Sequence, residues 1–198
     1  PDALRGRFLS PPIWRPEVVL ERRFADREPA HAAVLIPIVR RDGRDGGPTI
    51  LLTERTAHLS THSGQIAFPG GKVDDEDDDD AAAAVREAEE EVGLEPSRIE
   101  VIGRLPTYVT GTAFIVTPVV ALIDPDLRLR PNPMEVAAAF EVPLAFLMDP
   151  RNHRRHVFEW EGDRREWFSM PYDDRGIERF IWGATAGMLR NLYRFLSA

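Results

Sequence analysis

The chain has 198 residues, of which 43% are hydrophobic and 29% charged, and its formal net charge is −8 at pH 7. This length and composition predict one globular domain, and the acidic balance argues against a nucleic-acid or membrane-surface binder, which needs a basic face. With no cysteine in the sequence, disulfides, thiolate metal sites and cysteine nucleophiles are excluded, and an intracellular, cytoplasmic location is the default expectation.

The first half of the chain begins with proline-rich residues 1–30, for which we expect an irregular, partly extended arm with a short helix near Arg15 to Arg22. Two aliphatic strands are predicted next, at 32–39 and 49–53. The polar, glycine-rich segment 40–47 joins them as a hairpin connection. The aliphatic run 113–123 is interrupted by Thr117 and Pro118 and is shorter than the about 20 residues of a membrane span, so we interpret it as a buried strand.

A helix over residues 81–92 is the clearest prediction, because a run of aspartates can cap its start and Gly93 can end it. The remaining pattern predicts five further elements: a strand at 99–105, a helix or helical turns at 134–149, a hairpin of Val157–Trp160 and Arg165–Met170, and a last amphipathic helix at 181–196. We expect Trp182 to lie in the core on the buried stripe of that helix. Strands mixed with helices over one core indicate an α/β sandwich.

The candidate chemistry lies on the predicted helix 81–92. Glu87, Glu90 and Glu91 are spaced three and four residues apart, so their carboxylates project from one helix face. Hard oxygen ligands suit Mg²⁺ or Mn²⁺, which would relieve the repulsion between these charges. The alternative is a solvated acidic helix face.

In residues 71–94, Gly71 is followed by the acidic Asp78 and then by Arg86-Glu87-Ala88-Glu89-Glu90-Glu91-Val92-Gly93-Leu94. This pattern resembles the signature of the Nudix hydrolase family. Six residues rather than five separate the glycine from the acidic position, which is an aspartate here rather than a glutamate. Counting from Gly71 with the usual spacing gives Asp77, so the acidic partner of Arg86 is open between Asp77 and Asp78, with Glu90 as a further partner.

Upstream of these residues lie two further segments, Leu51 to Thr56 and Gly64-Gln65-Ile66-Ala67-Phe68-Pro69-Gly70-Gly71. Together they form an upstream signature that is similar to that of the coenzyme A pyrophosphatase branch of the family, with Ser60 where the branch has an arginine. The segments 132–136, 142–144 and 181–186 also match. The resemblance implies an α/β/α sandwich with a mixed β-sheet over residues 31–198, preceded by the arm.

What the resemblance implies is Mg²⁺- or Mn²⁺-dependent hydrolysis of the pyrophosphate of coenzyme A to 3′,5′-ADP and 4′-phosphopantetheine. The metal ligands would be Glu87, Glu90 and Glu91, and Arg86 would orient the acidic residues. The general base is open between Glu87, Glu90 and Glu135. Of these, Glu135 lies outside the Nudix signature, and its alternative is a helix-cap or surface role.

The candidates for substrate binding share a position in the upstream signature or directly after it: Arg55, Gly64, Gln65, Phe68, Gly70, Gly71 and Lys72. Arg55 and Lys72 would bind anionic parts of coenzyme A, or else be solvated cations. His58 and His62 are more simply structural or exposed. Two other functions stay open: hydrolysis of another nucleoside diphosphate derivative such as ADP-ribose, and a non-catalytic Nudix-fold binding module. The oligomeric state is open, and one alternative is a homodimer in which the arm packs across a partner.

Overall fold

A computed structural model of the chain describes residues 1–17, 28–43, 46–56, 64–110, 113–160 and 163–198. The helices in these residues are α1 (Asp2–Leu9), α2 (Asp80–Val92), α3 (Leu144–Leu147) and α4 (Gly183–Ser197). The strands are β1 (Ala30–Val39), β2 (Thr49–Arg55), β3 (Ile66–Ala67), β4 (Gly70–Lys72), β5 (Ile99–Arg104), β6 (Tyr108–Val109), β7 (Phe114–Ile123), β8 (Val136–Pro143), β9 (Arg154–Trp160), β10 (Asp163–Asp174) and β11 (Ile177–Trp182).

The larger sheet is mixed. Strand β1 pairs in parallel with β7 from Ala30 opposite Phe114 to Val39 opposite Ile123, and in antiparallel with β2 and β4. Strands β3 and β8 flank β2, while β5 and β6 pair with β7. The hairpin predicted between residues 32–39 and 49–53 is confirmed by the pairing of Ile38 with Ile50.

Two hydrophobic clusters lie on opposite faces of this sheet. On one face the alanines of α2 allow the helix to approach Leu35, Leu51 and Val119 closely. On the other face α4 and the three-stranded sheet β9–β10–β11 cover a larger cluster that contains Ile36, Leu52 and many other apolar side chains. The predicted α/β/α sandwich with a mixed β-sheet is therefore confirmed.

The predicted helix over 134–149 is wrong. Residues Val136–Pro143 form β8, and only Leu144–Leu147 are helical. Alanine favours helices, but β8 pairs with β2 from Thr49 opposite Pro143 to Arg55 opposite Val136. This pairing overrides the weak helix preference of the alanines. This error concerns the site directly, because β8 begins next to Glu135.

The arm also differs from its prediction, because α1 is helical and residues 11–17 are not. The rest of the helix predicted near Arg15 to Arg22 lies outside the described residues. A Cβ at Gly103 would lie within 3.0 Å of the Phe8 ring, so this glycine allows α1 to pack on β5. Phe8 also contacts Phe195 of α4, with 4.6 Å between ring centroids. The described part of the arm therefore packs against its own chain.

Candidate active site

Helix α2 is fixed at both ends by local interactions. The Asp79 carboxylate accepts hydrogen bonds from the backbone N–H groups of Ala81 and Ala82, both at 2.9 Å. Gly93 ends the helix in the left-handed conformation, with φ of 67°, which glycine adopts without strain. The helix predicted over residues 81–92 is thus confirmed, and its buried alanine face leaves Glu87 and Glu91 next to the sheet.

Glu91 is the most buried carboxylate of the site, with 5% of its side chain exposed. One of its oxygens accepts a hydrogen bond from the backbone N–H of Gly70 at 3.3 Å, and the other lies 3.9 Å from Nη1 of Arg55. Burial raises the pKa of Glu91 to about 7, and the charges of Glu87 and Glu135 act in the same direction. The site therefore holds this carboxylate in surroundings that disfavour its negative charge.

Glu87 lies against the backbone of β4. A Cβ on Gly71 would come within 3.0 Å of both carboxylate oxygens of Glu87, so only glycine leaves room for them. Burial raises the pKa of Glu87 even though the Arg86 guanidinium, at 3.1 Å, favours the ionised form. The glycine pair Gly70–Gly71 thus accommodates two carboxylates. Gly70 donates its N–H group to Glu91, and Gly71 leaves room for Glu87 because it has no side chain.

Arg86 pairs with Asp77, which answers the question that the spacing left open. Its Nε and Nη2 atoms donate to the two oxygens of Asp77, each at 3.0 Å, and the bond lowers the pKa of that carboxyl. Nη1 reaches Glu90 at 3.3 Å, and Nη2 also donates to the backbone oxygen of Lys72 at 3.1 Å. Asp78 is exposed and is not this partner.

Glu90 differs from the other two helix glutamates in its surroundings. Its side chain is 59% exposed and forms an ion pair with Arg86 on the same helix. Glu87 and Glu91 therefore face the interior of the site, whereas Glu90 faces its outer edge. Sequence spacing placed the three carboxylates on one helix face, but burial separates them.

Glu135 approaches the two inner carboxylates from the loop that precedes β8. Its charge contributes to the raised pKa of both Glu87 and Glu91. Asn132 donates from Nδ2 to the Glu135 carboxylate at 3.1 Å, and the backbone N–H of Asn132 donates to the Glu91 carbonyl at 2.8 Å. The end of α2 and the loop before β8 therefore meet at the turn that contains Asn132.

Arg55, Gly64 and Gln65 are brought together by the end of β2. The backbone N–H of Arg55 donates to the Gln65 carbonyl at 3.0 Å, and that of Gly64 donates to the Arg55 carbonyl at 3.1 Å. The Arg55 side chain points toward Glu91, and its buried Nε has no hydrogen-bond partner among the described residues. An anion bound beside Arg55 would provide the missing acceptor.

Two predicted placements, those of Phe68 and Trp182, need correction, and the structure also places Lys72. Phe68 is 3% exposed and packs in the core, so its ring is not a surface that a substrate can contact. Trp182 is 43% exposed because it ends β11 and precedes α4, rather than lying on the helix's buried face. Lys72 contributes its backbone oxygen to Arg86; since neighbouring strand residues face opposite sides and Gly71 faces Glu87, its exposed side chain points away from the helix carboxylates.

His58, Ser60 and His62 lie outside the described residues. Two features of the site were not assigned a role from the sequence: the pairing of Asn132 with Glu135, and Thr56, whose buried side chain binds the Met134 carbonyl at 3.2 Å. The Asn-Pro dipeptide at 132–133 is a turn signal. It indicates a turn but not what the turn contacts.

The donor set of the site fits a hard divalent cation. Within the described ranges no three His, Asp or Glu side chains converge closely enough to hold an ion by themselves. Mg²⁺ nevertheless binds commonly through one or two carboxylates and keeps several water ligands. Glu87 and Glu91 meet that requirement, and a cation between them would offset the charge that burial disfavours.

This arrangement, a mixed-sheet sandwich with an Arg-Glu-rich helix against a Gly-Gly strand, is that of the Nudix class. The family model for the NUDIX domain matches residues 29–169, so the chain belongs to the Nudix family. It is a Nudix hydrolase, a class of enzymes that act on nucleoside diphosphate derivatives and generally use divalent metal ions.

Curated relatives and solved structures agree with this assignment. The chain is 48% identical over 195 residues, 96% of its length and 92% of the relative's, to a protein of Shigella flexneri serotype 5b named "Uncharacterized Nudix hydrolase NudL". A protein of the same name from Escherichia coli K12 is 49% identical over 162 residues, 81% of this chain and 80% of the relative.

Two solved structures are similar in fold. The Nudix hydrolase RenU of M. smegmatis has a TM-score of 0.50 at 27% identity, covering 67% of this chain and 83% of that one. A NUDIX hydrolase from Alicyclobacillus acidocaldarius has a TM-score of 0.51 at 21% identity, covering 64% and 84%. In the described part of the chain, no helix is long and apolar enough to cross a membrane.

Proposed function

We propose that this Nudix hydrolase cleaves the pyrophosphate of coenzyme A, giving 3′,5′-ADP and 4′-phosphopantetheine, with Mg²⁺ or Mn²⁺. The observation that carries the proposal is the position of the upstream signature. Arg55, from its first segment, and the glycine pair 70–71, from its second, both contact the carboxylates of α2. These contacts support a role in the active site for the segment that resembles the coenzyme A branch.

Glu87 and Glu91 are our proposed metal ligands, with Glu90 supplementing them when its ion pair with Arg86 opens. When bound, a divalent ion supplies positive charge that offsets the two charges of the pyrophosphate and stabilises the leaving phosphate. Arg86 keeps the ligands in place through Asp77, a role that a fixed guanidinium fork suits.

Glu135 is our proposed general base. In the reaction a water oxygen forms a bond to one phosphorus, one water proton passes to the Glu135 carboxylate, and the bond from that phosphorus to the bridging oxygen breaks. The other phosphate leaves with the electron pair of that bond. Attack at either phosphorus gives the same two products. Glu135 suits this role because Glu87 and Glu91 are committed to the metal and Glu90 faces outward.

Arg55 is our proposed contact to the pyrophosphate rather than to the distant 3′-phosphate. Its guanidinium lies beside Glu91, where the reacting phosphates would bind, and its buried Nε has no acceptor within the described residues. Gly64 and Gln65 support this position through their backbone bonds to Arg55. Lys72 is less suited to the reacting centre because of the face on which it lies.

The test compares coenzyme A, dephospho-coenzyme A and ADP-ribose as substrates with Mg²⁺ and with Mn²⁺, for wild type and Glu91→Gln. We expect the highest kcat/KM for coenzyme A, and a loss of at least about 100-fold in the variant. A higher kcat/KM for ADP-ribose would refute the coenzyme A assignment and leave the Nudix chemistry in place. Cleavage of none of the three would favour a binding module.

A further inference from the structure

Asn132 joins the two segments that carry the carboxylates of the site. Its backbone N–H donates to the Glu91 carbonyl at 2.8 Å, next to the end of α2. Its side-chain Nδ2 donates to Oε1 of Glu135 at 3.1 Å, and its Oδ1 accepts from the Met134 N–H at 3.1 Å. One amide thus contacts the turn and the carboxylate that the turn presents.

The backbone of this turn is fixed independently of the Asn132 side chain. The Asn132 carbonyl accepts from the N–H groups of Glu135 at 3.0 Å and Val136 at 2.8 Å. Thr56, which is 6% exposed, donates its backbone N–H to the Glu135 carbonyl at 3.0 Å and its hydroxyl to the Met134 carbonyl. The backbone conformation of the turn therefore does not depend on the Nδ2 group of Asn132. What Nδ2 determines is the orientation of the Glu135 carboxylate.

Glu135 needs such a contact because its charge acts on two other carboxylates of the same sign, those of Glu87 and Glu91. Repulsion from Glu87 and Glu91 favours rotation of a partly exposed glutamate toward solvent. A neutral amide donor opposes that rotation without adding charge to the site. With Oε1 held by Asn132, Oε2 has no hydrogen-bond partner in the described residues and is free to accept a proton.

We propose that Asn132 is a positioning residue that orients Glu135 as general base, an inference that rests on the function proposed above. It acts through Glu135 and does not itself contact the reacting atoms. Its contribution therefore belongs to the rate of the chemical step and not to metal binding or substrate affinity.

A double-mutant cycle of Asn132→Ser and Glu135→Gln tests this role. Serine retains a hydroxyl acceptor for the turn but lacks the Nδ2 donor. We expect Asn132→Ser to lower kcat about 10-fold or more, with KM and Mn²⁺ affinity within about 2-fold of wild type. In the Glu135→Gln background the same change should lower kcat less than about 2-fold, because no base remains to be oriented.

Asn152→Ser is the matched control. Asn152 donates its side chain to the Phe146 carbonyl at 2.9 Å in another turn, away from the site, so its loss should leave kcat unchanged. A second variant, Asn132→Asp, keeps the acceptor oxygen but adds a charge next to Glu135, and we expect a larger loss of kcat than with serine. Thermal unfolding of each variant identifies any that do not fold.

The cycle is measured on whichever of coenzyme A and ADP-ribose has the higher kcat/KM. A wrong substrate assignment is then seen in the wild-type preference, while the cycle still reports on Asn132. An equal loss of kcat in both backgrounds, an unchanged kcat in Glu135→Gln, or a parallel loss of Mn²⁺ affinity in Asn132→Ser would overturn the proposal.

Discussion

Replacing Glu91 by glutamine should stabilise the metal-free protein above neutral pH while removing its activity. Burial raises the pKa of Glu91 from 4.5 to about 7, so the folded chain binds this proton more tightly than the unfolded chain does. The resulting stabilisation is fully present below pH 4.5 and is lost as the pH rises through 7. Above that pH the ionised carboxylate opposes folding.

The magnitude follows from the two pKa values. A difference between 4.5 and about 7, at about 1.4 kcal/mol for each pH unit, corresponds to about 3 kcal/mol in the free energy of unfolding. Glutamine resembles the protonated acid, and its amide oxygen can still accept from the Gly70 N–H. With a chelator present at pH 8, we expect the free energy of unfolding of Glu91→Gln to exceed that of wild type by up to about 3 kcal/mol. This difference should shrink toward zero near pH 4.

Urea unfolding followed by tryptophan fluorescence, with EDTA present, measures this difference at each pH. Glu90→Gln is the matched control, because its exposed carboxylate is paired with Arg86 and its removal relieves no burial. Mn²⁺ should stabilise wild type much more than Glu91→Gln. A variant that is less stable than wild type at pH 8 in EDTA would refute the reasoning from burial.

Three further variants test individual contacts. Asp77→Asn should lower Mn²⁺ affinity by about 10-fold because Arg86 loses its two-bond partner, whereas Asp78→Asn should not; isothermal titration with Mn²⁺ compares them. Gly71→Ala should lower kcat/KM by more than about 10-fold with less than about 1 kcal/mol of lost stability, since the new Cβ displaces only the mobile end of a glutamate. Phe8→Ala should lower stability by about 2 kcal/mol and leave kcat unchanged, as thermal unfolding and steady-state assays would show.

Each of these predictions has an opposite outcome that contradicts it. Equal Mn²⁺ affinities for the two aspartate variants would mean that the Asp77 ion pair has no part in holding the ligands. Full activity of Gly71→Ala would mean that Glu87 is not needed where the structure places it. A large loss of kcat in Phe8→Ala would assign the arm a role in the reaction.

The sequence predicted the parts of the site that depend on local patterns. Helix α2, its aspartate cap and Gly93 follow from signals within a few residues of each other, so the common helix face of Glu87 and Glu91 was predictable. The partner of Arg86 was not, because one extra residue in the loop permits either Asp77 or Asp78 to reach it. Only the folded loop distinguishes the two.

Long-range pairing explains the other differences. Alanine-rich β8 has the composition of a helix, and its pairing with β2 depends on a strand far away in the chain. The same pairing brings Glu135 toward α2, so its proximity to Glu91 was not contained in any local pattern. Phe68 follows the short strand β3 directly and packs in the core, which a matching motif does not reveal.

The parallel pairing of β1 with β7 has a consequence for the order of folding. Residue 30 lies opposite residue 114, so a long stretch of chain, including α2 and β4, must be closed into a loop before this pair can form. Contacts between β4 and α2 are much closer in sequence and should form earlier. After dilution from denaturant, recovery of Mn²⁺ binding should precede recovery of hydrolysis, because hydrolysis also needs Glu135 and hence the second long-range pairing, that of β8 with β2.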